Sequence, residues 1–427
     1  GGGTTDSLTV VGDVSGAGTL IVDAAITATG GSADAVTIDG ALSGTVETVI
    51  NNQGAAITAP PEAGSGATVV SATDGVDATF TLNAPFNYVP IGPWRYELVE
   101  NGGEVRFQPR FDPEGGASLA AYTPSAVGAA ASPDAVLSVT EMFLPHVRER
   151  QSQAQAAPGG GFQTWARVEA EKADLDGKGY DVGYRQRTGL IQFGTGFTRP
   201  GSRGDLLMAG ATFGAARGDW DPRLRSARAD LDVEAYAVGL YLTWFQDAAQ
   251  SRGWYGDLVA QASTLDFRLD APEARIAEYD GDGQAVSLEV GHLTDRGTWL
   301  IEPKARLSYL RSQVDGFVGA DGLAAQSNTN ERIQGRVAVR VSTERTMGGA
   351  KVTPNLTLGV SHDFKADRGV YVGFDRMEVN APETLAEAGV GLDVRVSDRL
   401  TLFGEAGGRL AQDYWSATLR AGVTLRW

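Results

Sequence analysis

The sequence predicts an all-β protein: a twelve-stranded antiparallel transmembrane β-barrel with an α-helix spanning its pore, preceded by the end of a parallel β-solenoid. Three observations predict it. Residues 161–427 divide into twelve runs in which apolar and polar residues alternate, and alternation places side chains on opposite faces of a strand. The connections between these runs are alternately long and short, the pattern of a membrane barrel with long outer loops and tight inner turns. Residues 1–111 instead contain a phrase that recurs at a fixed offset, as in stacked coils.

The solenoid reading rests on Asp6–Gly16, which returns as Asp34–Gly44, with Asp, Thr, Gly, Ser and Gly at the same places. Short β-runs (Leu8–Val11, Thr19–Val22, Val36–Ile38, Val46–Ile50, Thr68–Val70) are separated by Gly, Ser, Asp and Asn turns. Residues 83–111 are richer in aromatics: Phe86, Tyr88, Trp94, Tyr96, Phe107 and Phe111. Two strands, Trp94–Val99 and Glu104–Gln108, flank Asn101-Gly102, a strong hairpin signal. An aromatic hairpin is suited to closing the open end of a solenoid core.

Residues 112–131, rich in Gly, Ala, Ser and Pro, read as a flexible linker. A pore helix is expected over 132–157, with Ser132 as N-cap, Pro133 at the first helical position and Asp134 in the first turn. Pro145 predicts a break within it. Its surface mixes charged and apolar residues, which suits a polar lumen and not lipid.

The twelve expected strands are 161–172, 183–198, 204–217, 229–246, 252–269, 282–295, 298–313, 329–345, 350–364, 384–397, 399–411 and 415–427. Long connections (173–182, 218–228, 270–281, 314–328, 365–383) follow odd strands, and short ones follow even strands; the short connection 412–414 is the exception. The last strand sorts Trp415, Ala417, Leu419, Ala421, Val423, Leu425 and Trp427 to one face, and Arg420 and Arg426 to the other. Trp165, Trp244, Trp254, Trp299, Trp415 and Trp427 lie near strand ends, as an aromatic girdle requires. The same alternation assigns Arg167, Glu169, Glu302, Lys304, Arg306, Arg336, Arg340, Asp393, Arg395, Glu405, Arg409 and Arg420 to the pore wall.

Composition removes several function classes. Cysteine is absent, which excludes disulfides, thiolate metal sites and Cys nucleophiles. A net charge of −17 argues against nucleic acid as a partner. No apolar run reaches the ~18 residues of a transmembrane helix. The chain opens Gly-Gly-Gly-Thr-Thr-Asp without a signal peptide, so further sequence is expected ahead of residue 1.

In the order solenoid, aromatic cap, helix and twelve strands, the chain resembles the classical autotransporters of type V secretion. The resemblance is carried by Asp6–Gly16 and its echo Asp34–Gly44, by Gly92–Val99, by Thr164–Val168, and by the terminal alternating strand with its aromatic end. It implies a right-handed solenoid as passenger, an adhesin being one such passenger. It implies a barrel in the outer membrane that translocates, anchors and displays that passenger at the cell surface, and a cap that nucleates passenger folding. It further implies a monomeric barrel, with lipid, periplasmic chaperones and the barrel-assembly machinery as partners and host or cell-surface receptors as partners of the passenger. Leu419, Val423, Leu425 and Trp427 would form the terminal assembly signal; Trp427 stands where the family more often has Phe.

Catalytic, metal and cofactor sites are not expected. Ser361, His362 and Asp363 are neighbours on a strand, so their side chains diverge. Asp174–Asp181 lacks the acidic positions of a calcium loop. Arg203-Gly204-Asp205 falls in an inner turn, and Arg217-Gly218-Asp219 is placed in a surface loop as a weak adhesion motif. The Asn that serves cleavage within the pore in some autotransporters is missing, since no Asn lies between Gly102 and Ser327. Two alternatives stay open: the tail of a secreted enzyme whose catalytic part lies upstream, and a diffusion porin.

Overall fold

Residues 161–427 close on themselves. In the computed structural model, which describes residues 3–54, 57, 59–82, 85–112, 119–150, 160–250 and 252–427, each barrel strand pairs antiparallel with the next. The last strand, Tyr414–Arg426, pairs with the first, Gly161–Leu175, from Arg426 opposite Gln163 to Tyr414 opposite Leu175. The closed ring has twelve strands. Burial alternates along most of them: in Asp230–Phe245, Leu231, Val233, Ala235 and Ala237 are buried while Tyr236, Val238, Leu240 and Leu242 face outward.

Loop lengths differ from expectation. The third strand runs on to Leu224 and the sixth begins at Arg275, so 218–224 and 275–281 are not loops. Strands continue there because they extend beyond the lipid zone, where alternating Asp and Arg replace alternating Leu on the outer wall. Arg217 and Asp219 therefore lie on a strand, not in a loop. Long connections survive at 315–327 and 367–383, where four short strands (Phe317–Val318, Ala324–Ala325, Gly369–Val372, Asp375–Glu378) form a small sheet over the barrel mouth.

Trp244, Trp254, Trp299, Trp415 and Trp427 are exposed on the outer wall, but Trp165 is only 2% exposed. It occupies the inward register with Arg167 and Glu169, and its ring lies over Gly194, where a Cβ would fall 2.3 Å from Cε2. Tyr241 covers Gly196 and Gly210 in the same way, and Tyr255 covers Gly291. These inward glycines leave room for rings laid flat against the wall.

The first coils stack in parallel. Ser7–Val11 pairs with Ala35–Asp39, and Val14–Ala24 pairs with Leu42–Asn52, both at an offset of 28. The recurring glycines have a steric cause: at Gly44, with φ of +114°, a Cβ would sit 1.9 Å from the Gly16 carbonyl oxygen. The hairpin Trp94–Asn101/Glu104–Pro109 adds antiparallel to Ala67–Ala72, ending the parallel stack. It buries Trp94, Tyr96 and Phe107 over the solenoid core.

The helix begins eight residues before the expected start. Helix α1 spans Pro124–Met142, with Thr123 as N-cap accepting from the Ala126 amide and Pro124 opening the first turn. Residues 124–131 are thus not linker, and Ser132 is not the cap. A run of Ala and Gly is compatible with either state by composition; inside a lumen it is a helix thin enough to fit. At Gly128 an added Cβ would lie 2.1 Å from Leu269 Cδ1. Pro133 sits in the helix interior, where it lacks an amide to donate. The break at Pro145 is present: α1 ends at Met142, and a short helix α2 follows over Val147–Arg150. The expected helical stretch 151–157 and linker residues 113–118 lie outside the described residues, as do Asn83 and Ala84 of the cap.

Candidate functional site: the helix-filled lumen

The lumen divides along α1. Its first half is small and apolar and packs against Leu265, Phe267, Leu269 and Ile276 of the wall. From Asp134 onward polar wall groups also reach the helix, beside an apolar cluster of Leu137 and Leu144 with Val259 and Leu310. Tyr184 Oη donates to Asp134 at 2.7 Å, and Arg368 Nε lies 2.8 Å from the same carboxylate while also holding Asp363. Ser132 Oγ donates to the Gly128 carbonyl at 3.1 Å and pairs with Tyr279 at 2.6 Å. Glu141 pairs with Arg332 and lies 3.5 Å from Arg409.

A helix C-terminus leaves carbonyls without intrahelical partners, and here the wall supplies donors. Gln261 donates to Thr140 O at 2.5 Å, Arg167 to Met142 O at 2.5 Å and Gln192 to Phe143 O at 2.9 Å. Below the break, Val147 of α2 is buried in a cluster with Leu206, Met208, Phe245 and Leu293 of the wall, and the rest of α2 is held by charge. Arg148 pairs with Glu302 at 3.0 Å, Arg150 with Asp257 at 2.5 Å, and Glu149 with Arg167 at 2.8 Å. The Arg150 guanidinium also lies over the Tyr241 ring, 4.4 Å from its centroid.

The wall pairs are largely cross-strand neighbours, so strand register sets them. Glu169 faces Arg420 across the closing seam, with the two groups 3.0 Å apart. Glu289 faces Arg306 at 3.2 Å, and Glu405 faces Arg420 at 3.1 Å. Among the described residues, a polar cavity of about 100 Å³ lies beside the helix, lined by Glu141, His146, Glu171, Arg336, Glu387 and Arg409 among others. That is room for a few waters, not an open channel.

Of the residues assigned to the pore wall, Arg167, Glu302, Arg306, Arg409 and Arg420 contact the helical segment directly. Glu169 and Glu405 hold Arg420, Arg336 pairs with Glu387 at 2.5 Å, and Arg340 pairs with Asp393 at 2.8 Å. Lys304 is half-buried on the inward register. Arg395 instead pairs with Glu344 at the rim, away from the helix. Sequence reasoning missed Asp257, Gln192, Gln261 and Arg332. All four lie in expected strands on the inward register, so extending the alternation would have found them. Arg368 lies in a long loop, where periodicity gives no signal.

Leu419 and Trp427 are exposed on the outer face, with Val423 and Leu425 half-buried beside them. The Trp427 indole donates to Thr164 Oγ1 at 3.0 Å, tying the chain end to the first strand. Ser361 and Asp363 are buried inside, whereas His362 faces outward to Thr384. Among the described residues no group of three or more His, Asp and Glu could hold a metal ion.

The mouth is occupied by the solenoid's cap. Tyr88 Oη and Ser125 Oγ both donate to Asp321 of the 315–327 loop, at 2.9 and 2.5 Å. Asp112 accepts from the Ser226 amide and hydroxyl, and Trp94, Tyr122 and Tyr180 form an aromatic cluster.

Comparison with known proteins agrees with this architecture. The family described as autotransporter beta-domain matches residues 164–407, and the pertactin family matches residues 2–107. The probable autotransporter YfaL of Escherichia coli K12 is 27% identical over 99% of this chain and 35% of its own length. The pertactin autotransporter of Bordetella bronchiseptica is 24% identical over 84% of this chain and 43% of its own length. The chain thus spans less than half the length of either relative. Among solved structures, the transport unit of the autotransporter AIDA-I from Escherichia coli is similar in fold, with a TM-score of 0.60, 14% identity, and 72% of this chain and 100% of that one covered. The family match spans more than half the chain, and a closed twelve-stranded barrel threaded by a helix stands behind it: the chain belongs to the autotransporters, and residues 161–427 are an outer-membrane translocator domain.

Proposed function

We propose that the barrel and its helix export the solenoid segment and hold it at the cell surface. The observation that carries this reading is the path of the chain. It leaves the cap at the loop end of the barrel, descends the lumen as α1 and α2 to Arg150 beside Asp257, and re-enters the wall at Gly161 at the opposite, short-turn end. With both barrel termini on the periplasmic side, the solenoid lies outside. The helix then serves as tether and plug, clasped by the wall arginines after export. Leu419, Val423, Leu425 and Trp427 present the apolar face that the barrel-assembly machinery would read, after periplasmic chaperones deliver the chain. The solenoid is the binding passenger, in the manner of an adhesin, and its aromatic cap is where folding outside the cell starts.

Protease added to intact cells tests the topology. Residues 1–111 are expected to be cut while 161–427 stay protected in the membrane. Protection of residues 1–111 in cells where the barrel is inserted overturns the reading.

A further inference from the structure

The lumen accounts for the buried charges but not for those on the outer rim. The chain carries a net charge of −17, and on the outer wall near the loop end the outward Asp219, Asp230, Glu234, Asp266 and Asp280 are interleaved with Arg217 and Arg268, which pair with Glu234, Asp232 and Asp270. At the periplasmic end exposed arginines outnumber the exposed acids Asp295, Glu344 and Asp398. Arg199, Arg203, Arg252, Arg296, Arg345 and Arg399 are exposed there, and among the described residues none of them forms an ion pair.

Their positions follow the lipid boundary. Arg199 is outward-facing at the foot of the apolar stripe that ends in Phe193 and Phe197, and its cross-strand neighbour is Leu207, itself paired with Trp244. Arg296 is directly opposite Trp299. Arg252 precedes Trp254 by two residues. The Arg399 carbonyl accepts from the Arg426 amide, next to Trp427. Exposed indoles mark the depth of the membrane interface. An arginine near Trp244, Trp254, Trp299 and Trp427 places a guanidinium at the level of lipid phosphates, which it can hold through paired N–H donors.

We propose that this arginine–tryptophan rim binds the phosphate headgroups of anionic phospholipids in the periplasmic leaflet. The ring of donors surrounds the barrel below its apolar band, so it would gather lipid around the translocator and fix the barrel's depth and orientation. A juxtamembrane arginine contributes on the order of 1 kcal/mol at an anionic surface, about five-fold each in affinity. The proposal is independent of passenger export and can fail without affecting it.

The test uses the full folded chain in neutral detergent, incubated with equal amounts of phosphatidylglycerol and phosphatidylcholine, with retained lipid identified by native mass spectrometry. The wild type is expected to retain phosphatidylglycerol preferentially, less so as salt is raised. The combined R199Q/R203Q/R252Q/R296Q variant is expected to lose at least about five-fold of that preference, and the corresponding lysine variant to keep part of it. R217Q/R268Q, on the outer wall near the loop end, should leave it unchanged. Heat-modifiable gel mobility confirms that each variant is folded; if the four-fold variant does not fold, R199Q/R203Q and R252Q/R296Q are compared separately. No preference in the wild type, or an equal loss in R217Q/R268Q, overturns the proposal. So does a rim that retains an acidic periplasmic protein in place of lipid.

Discussion

At the residue scale, one position on the last strand tests which face is which. Val423 lies on the outward register between Ala166 and Leu402 of the neighbouring strands, while Gly422 and Thr424 face in. A charge on the lipid face costs roughly 2–4 kcal/mol near mid-membrane. Val423→Arg is therefore expected to destabilise the folded barrel by about that amount in a denaturant titration in lipid vesicles. Assembly and stability equal to wild type would mean that the faces are reversed. This level was legible in the sequence, because a period of two needs only local information. Trp165 shows the boundary of that information. Its place near a strand end suggested an interfacial girdle, but its register with Arg167 turns it inward onto Gly194. Parity decides the direction of a side chain, and residue type does not override it.

At the element scale, the segment most poorly read was the pore helix. Ser132-Pro133-Asp134 has the composition of a helix start, yet the cap is Thr123 and Pro133 is internal. An exposed helix would favour the later start, since an internal proline removes a hydrogen bond. Enclosure by the wall offsets that loss, with Ser132 bonded to both Gly128 and Tyr279. The clasp on the helix end is concentrated at Arg167, which reaches Glu149, Glu169, Gln192 and the Met142 carbonyl. Arg167→Met leaves the Met142 carbonyl without its donor and leaves Glu149 and Glu169 with Arg420 as their remaining cation. Removing one partner of a buried pair typically costs about 3–5 kcal/mol, and Arg420 lowers that cost here. The plug is expected to loosen, raising ion conductance of the barrel in a planar bilayer above the near-closed wild type. Unchanged conductance would show that the other contacts hold the helix without Arg167.

At the scale of the whole molecule, the cap and the barrel mouth act on one another. Asp375, in the 367–383 loop, is set against Gly92 of the cap: a Cβ there would lie 3.2 Å from its Oδ2. That oxygen has no hydrogen-bond partner among the described residues, and burial pushes the Asp375 carboxyl above the usual 3.8. A raised carboxyl pKa means that the docked state binds the proton more tightly than the undocked state. Docking is strongest below the undocked value and weakens as pH rises through the raised one. Hydrogen-exchange protection of residues 85–112 is accordingly expected to be higher at acid pH than at neutral pH. Asp375→Asn, neutral at every pH, should remove the difference and raise protection at neutral pH. Persistence of the full difference in Asp375→Asn would assign it to another group.

Legible in the residues alone were the order of the parts, the number of strands, the inward and outward faces, and the coil-to-coil repeat with its glycines. All of these are set by short periods and fixed offsets, which a chain carries in its own spacing. It took the closed barrel to set where the helix begins, which carboxylate meets which arginine, that Arg395 turns to Glu344 at the rim, and that the cap is seated on the mouth through Asp321. Those outcomes depend on enclosure. A helix of Ala and Gly is stabilised by the wall around it, and a buried charge takes its partner from whichever strand the closed barrel brings opposite.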